Sequence, residues 1–126
     1  MTSKTRSKVQ AAEMKVLRLI KGVTRMDRIR NIDIRNELEI EDILKFIEKG
    51  QLRWFGHVKR MDNDRYPRKF LEWQPEGTRP VGRPKKRWRE NVDSAMHRRG
   101  YSLQQVENAR LYEDRQRWRH FLRQDD

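Results

Sequence analysis

Cysteine is absent from this chain. That single absence removes disulfides, thiolate zinc sites and cysteine nucleophiles together. The three histidines, His57, His97 and His120, are scattered without metal-ligand spacing, so neither a metal nor a cofactor is expected. No apolar run approaches the length of a membrane span, and the opening Met1-Thr2-Ser3-Lys4 lacks the apolar core of a signal peptide. A soluble, intracellular protein, nuclear or cytoplasmic, is therefore expected, with no membrane partner. Hydrophobic residues are also scarce, at 34% against 40% charged, so the core must be thin. The apolar positions are nonetheless periodic and four tryptophans can anchor them. The chain reads as folded in segments.

What is abundant is positive charge. Thirty-one basic residues against 19 acidic ones give a net charge of +12 and a pI near 10.6, which favours a polyanionic partner. Twenty-one of the basic residues are arginine and ten are lysine. Arginine presents a planar fork that pairs with phosphate and with guanine edges, and it stacks on bases. The densest stretch runs from Arg79 to Arg99, with eight Lys or Arg against Glu90 and Asp93. Its start, Gly77-Thr78-Arg79-Pro80-Val81-Gly82-Arg83-Pro84-Lys85-Lys86-Arg87-Trp88, is a cationic Gly/Pro loop feeding a helix. Such a device suits a phosphate backbone.

No segment alternates as a strand does, and the pattern predicts an all-α fold of about five or six helices. The first helix is expected over 7–21, where Val9, Ala12, Val16, Leu17 and Ile20 fall at helical spacing and Gly22 stands just beyond. Thr24 and Asp27 are placed to cap a short turn. Asn31 is placed to cap a helix over 32–38, and a longer helix is expected over 41–60, with Gly50 and Gly56 inside it marking a bend or a close backbone approach. Pro67 suits the first turn of a short helix ending at Trp73. Pro84 is expected to open a helix to Arg99, and Ser102 with Gln105 to cap a last helix over 103–122. The corresponding organisation is a helical subdomain over 1–61, a linker and basic loop over 62–83, and a C-terminal helical pair over 84–126.

Three motifs admit a functional and a plain reading. Gly82-Arg83-Pro84 matches the core of an AT-hook, which lies in a narrow A·T-rich minor groove. Val81 stands where that motif wants arginine, so general phosphate contact is the broader expectation. The segment LRWFGHVKRM, 52–61, interleaves aromatic, small and basic residues. Arg53, Lys59 and Arg60 are phosphate candidates, with Trp54 and Phe55 either stacking on a base or, as preferred here, anchoring the core. His57 has no nucleophile or carboxylate at useful spacing and reads as structural. A helix-turn-helix is disfavoured because Glu41-Asp42 would face DNA at the end that enters the groove. Asp114-Arg115 and Trp118-Arg119 read as an internal ion-pair and packing set.

In order, Ala12-Glu13-Met14, Asp27-Arg28-Ile29-Arg30-Asn31, LRWFGHVKRM, GRPKKRW and Asp114-Arg115 with Trp118-Arg119 resemble one region of a known family. That region is the C-terminal, post-palm part of the polyprotein of non-LTR (LINE-type) retrotransposons, and the resemblance runs from about residue 8 to 122. It implies a helical, thumb-like, basic piece of a reverse transcriptase that helps hold an RNA–DNA duplex. By the same resemblance, Arg53, Lys59 and Arg60 lie on the nucleic-acid side, and Arg79, Arg83, Lys85, Lys86 and Arg87 form a clamp. The aromatic-x-Asp-Asp turn of the polymerase, its endonuclease and any Cys-His knuckle are absent from this sequence. Asp125-Asp126 lacks a metal-holding strand around it.

The expectation is thus a non-catalytic module that binds RNA, DNA or an RNA–DNA hybrid, with no small-molecule substrate. It is either a remnant of an element or a fragment expressed separately. The alternative is a helical interaction module that packs on the upstream reverse transcriptase core or an acidic protein, without binding free nucleic acid.

Overall fold

The computed structural model describes residues 1–78, 81–83 and 87–124. Within them the chain forms seven α-helices and one 3-10 turn, and no strand. The all-α expectation holds. The packing separates Met1–Glu48 from the chain beginning at Lys49.

The first unit starts with α1, Ser3–Lys21, capped by Thr2, whose hydroxyl accepts from the Thr5 amide at 3.3 Å. Gly22 closes the helix at φ 75°, a left-handed conformation that glycine adopts without a Cβ penalty. The 3-10 turn Arg25–Asp27 follows, with the Thr24 amide donating to Asp27 Oδ2 at 2.6 Å as its spacing predicts. Helix α2 is Asn31–Glu37, and Arg30, not Asn31, occupies the cap position. The Asn31 amide oxygen is turned to Arg18, which donates to it at 3.0 Å and to the Ile29 carbonyl at 2.9 Å. That tie holds the connection against α1. Met14, Leu17 and Ile34 form the buried centre of this unit, with Val23, Ile29 and Leu38 against it.

Glu13 joins three elements of the unit. Its carboxylate takes a forked pair from Arg35, at 3.3 and 2.7 Å, and the amide of Ile43 at 3.2 Å. Arg35 also meets Asp42 at 3.4 Å. The hydrogen bond to Glu13 raises the pKa of Arg35, so this guanidinium stays charged at any working pH. Ile43 opens helix α3, Ile43–Lys59, and Asp42 Oδ1 caps it by accepting from the Leu44 amide at 2.8 Å.

The second unit contains the larger core. Leu52, Phe55, Val92, Ala95, Met96, Val106, Tyr112, Trp118, Phe121 and Leu122 form one buried cluster. LRWFGHVKRM therefore packs with the C-terminal helices, and the packing boundary between Glu48 and Lys49 falls inside α3. Helix α4 is Tyr66–Glu72, with Pro67 in its first turn. Arg68 donates to the carbonyls of Lys59 at 2.9 Å and Met61 at 2.6 Å, supplying the donors that the end of α3 lacks.

Helix α5 is Trp88–Arg98, later than the expected start at Pro84, because Arg87 has extended backbone angles. Pro84 itself lies outside the described residues. Ser102 and Gln105 make the expected reciprocal cap of α6, Leu103–Ala109. The single helix expected over 103–122 is two helices. Arg110 turns left-handed at φ 49°, and Asp114 then caps α7, Arg115–Arg123, by accepting from the Gln116 and Arg117 amides. The break lets Tyr112 enter the core. No ion pair joins Asp114 to Arg115; the carboxylate serves the helix end.

Helix α7 meets α3 through Trp118. The indole N–H donates to the Leu52 carbonyl at 3.1 Å, and the ring lies over Gly56, where an added Cβ would sit 2.2 Å from Nε1. Gly56 thus marks a close approach, of an indole ring where a neighbouring backbone was expected. Gly50, in the same helix, has open space around it.

Candidate nucleic-acid interface

The basic residues singled out by sequence divide into distinct environments. Arg53 is exposed on α3. Arg60 is seven residues further along, so it shares that side of the helix. It is half-buried, donates from Nη1 to the Tyr112 carbonyl at 2.9 Å, and leaves Nε buried without a hydrogen-bond partner. Burial lowers its pKa, and the neighbouring charges of Arg115 and Arg119 lower it further. Arg83 and Arg87 are exposed, and the Arg87 amide donates to Glu90 Oε2 at 3.3 Å. Arg79, Lys85 and Lys86, the other members of the expected clamp, lie outside the described residues.

Lys59 differs from the rest. Its ammonium is buried between Glu107, at 3.1 Å, and Glu72, at 3.4 Å, and it lies over the rings of Phe55 and Tyr112. Arg89 shares Glu107 at 2.6 Å. A phosphate would have to displace two carboxylates to reach Lys59. Its present geometry serves the fold.

Trp54 also departs from the preferred reading. Phe55 is fully buried as a core anchor, but Trp54 is 51% exposed. It borders a cleft of about 390 Å³ with Phe70, Trp73, Arg87 and Trp88. Phe70 and Trp73 are 70% and 64% exposed. Aromatic faces left in solvent beside an arginine are the components of a base-stacking platform. His57 is exposed, with its ring 5.5 Å from that of Trp54. No group of three His, Cys, Asp or Glu able to hold a metal occurs among the described residues. None of their helices is long and apolar enough to cross a membrane.

Sequence reasoning missed two groups. Phe70 and Trp73 follow Tyr66 at helical spacing, a stripe that needed only to be tested for a covering element. Arg115, Arg117 and Arg119 are all exposed around the buried Trp118. The alternation of arginine about that tryptophan was visible but was taken as internal packing.

Comparison with known proteins adds one relation. The chain is similar to a transposon-derived protein. That protein, uncharacterized and from Caenorhabditis elegans, is 38% identical over 61 residues, which are 48% of this chain and 22% of its own length. This chain thus spans about a fifth of that relative. No family model matches the sequence, and no solved structure matches the fold.

Proposed function

We propose that this chain is a non-catalytic nucleic-acid-binding module, akin to the C-terminal region of a LINE-type reverse transcriptase, that grips RNA or an RNA–DNA duplex by its phosphates. One observation carries the reading. The carboxylates Glu13, Glu72, Glu107 and Asp114 are engaged within the chain, holding basic side chains or capping helices. Arg53, Arg83, Arg87, Arg115 and Arg119 are exposed and form no ion pair with a described residue. These five guanidiniums therefore present their charge to solvent and not to an internal partner. Such a surface gains affinity by releasing counterions from a polyanion. Similarity to a transposon-derived protein agrees with this chemistry.

Fluorescence anisotropy with a labelled RNA–DNA hybrid tests the reading. Affinity should fall steeply and linearly with the logarithm of salt, by about 0.9 in slope for each phosphate neutralised. Absence of binding at low salt, or binding insensitive to salt, would overturn it.

A second reading, a helical module that docks on a polymerase core or an acidic protein, is favoured by α1. Val16, Leu19 and Ile20 are all more than half exposed there. It predicts that an upstream polymerase segment supplied in trans is bound, and that Leu19→Glu or Ile20→Glu abolishes that binding while leaving affinity for nucleic acid within about twofold.

A further inference from the structure

Three arginines from different parts of the second unit converge where α7 lies on α3. Trp118, hydrogen-bonded to the Leu52 carbonyl and packed on Gly56, fixes α7 against the helix that carries Arg60. Arg115 and Arg119 are one turn apart on α7, about 5.4 Å along its axis. Both are exposed, and both bring positive charge to Arg60.

The nearby acids do not neutralise the group. Asp114 Oδ1 accepts from the amides of Gln116 and Arg117, and Glu113 pairs with Arg110 at 3.2 Å. Arg60 is held by the Tyr112 carbonyl, and its buried Nε has no hydrogen-bond partner. Like charges kept together oppose folding, and an anion with several acceptor oxygens placed among them relieves that cost. A phosphodiester fits this requirement, because guanidinium forks match its geometry.

We propose that Arg60, Arg115 and Arg119 form a preorganised binding site for a backbone phosphate of nucleic acid, separate from the Gly/Pro loop. Arg60 is the fixed member, oriented by Tyr112, and the two arginines of α7 close over the ligand from the solvent side. The site deepens the nucleic-acid reading above and rests on it. It also gives the break between α6 and α7 a purpose, since that break sets the start of the helix bearing Arg115 and Arg119.

The test uses the full chain and a labelled RNA–DNA hybrid, titrated at several salt concentrations. Arg115→Ala/Arg119→Ala should weaken binding about tenfold and reduce the salt slope by about one. Arg117→Ala, on the opposite side of α7, should change affinity less than about twofold, since its charge faces away from the site. Arg60→Lys keeps the charge but loses the fork, and should weaken binding while leaving the salt slope nearly unchanged. Circular dichroism and tryptophan fluorescence must show each variant folded; for the α7 variants, whose side chains are exposed, they should match the parent. Equal losses in Arg117→Ala and the double variant would refute a defined site and leave the general reading standing, as would unchanged binding in the double variant. Failure of the parent chain to bind would remove both.

Discussion

Replacing Gly56 with alanine isolates the contact on which the second unit depends. In an open helix the change stabilises by about 1 kcal/mol, because alanine loses less backbone entropy. Here the new Cβ would stand 2.2 Å from Nε1 of Trp118 and 2.7 Å from two ring carbons. Ordinary contact begins at 3.4 Å, so the ring must retreat by roughly 1 Å. Trp118 is 2% exposed and stacked against Phe121, so it has little room to move. Overpacking of this kind costs about 1–3 kcal/mol. Retreat also breaks the bond to the Leu52 carbonyl, a further ~1–3 kcal/mol for a buried donor. Less the propensity gain, the net effect is a destabilisation of about 3 kcal/mol. Urea unfolding followed by tryptophan fluorescence should show a midpoint lower by more than about 1 M. Gly50→Ala is the internal control: nothing lies within 4 Å of its added Cβ, so the midpoint should rise. Trp118→Phe removes the indole nitrogen, and in that background the cost of Gly56→Ala should shrink. If Gly56→Ala matched Gly50→Ala in raising stability, the packing of α7 on α3 described here would be wrong.

Other substitutions probe separate parts of the argument. Lys59→Ala removes a buried ammonium and its ring contacts while Glu72 and Glu107 keep Arg68 and Arg89 as partners, and should destabilise by about 1–2 kcal/mol; loss of nucleic-acid affinity without loss of stability would contradict its internal role. Asp114→Ala removes the cap of α7 and should cost about 1 kcal/mol in thermal or chemical unfolding, with Asp114→Asn nearly neutral. Trp54→Ala and Trp73→Ala, both at exposed rings, should leave the unfolding free energy within about 0.5 kcal/mol of the parent. Each should weaken binding of single-stranded RNA by about 1–3 kcal/mol; unchanged affinity would deny the cleft a stacking role.

Much of the fold was legible because local signals are strong in this chain. Gly22, the Thr24–Asp27 pair, Pro67 and the Ser102–Gln105 box each act within one turn, and the structure places all four as expected. What the sequence concealed depends on partners distant along the chain. Asn31 looks like a cap until Arg18, 13 residues earlier, claims its side chain. The 103–122 stretch has continuous helical spacing, and only the burial of Tyr112 explains why the chain turns at Arg110. The site shows the same limit. Lys59 has the composition of a phosphate ligand, and what separates it from Arg53 is that Glu72 and Glu107 converge on it in space. Trp54 and Phe55 are neighbours in sequence, yet helical geometry sends one to solvent and the other to the core.

Several of the guanidiniums that fasten this fold reach for main-chain oxygen. Arg18 grips the Ile29 carbonyl, Arg60 that of Tyr112, Arg68 those of Lys59 and Met61, and Arg99 that of Ala95. Every residue type carries the same carbonyl, so these fastenings ask nothing of the side chain at the receiving position. Drift at Met61 leaves the acceptor in place, whereas exchange of Arg68 for lysine removes the guanidinium that reaches two carbonyls. A lineage of such chains would hold its architecture through its arginines while a half-buried gripped position such as Met61 diverges. In a sequence alignment that would appear as isolated arginines in otherwise variable columns.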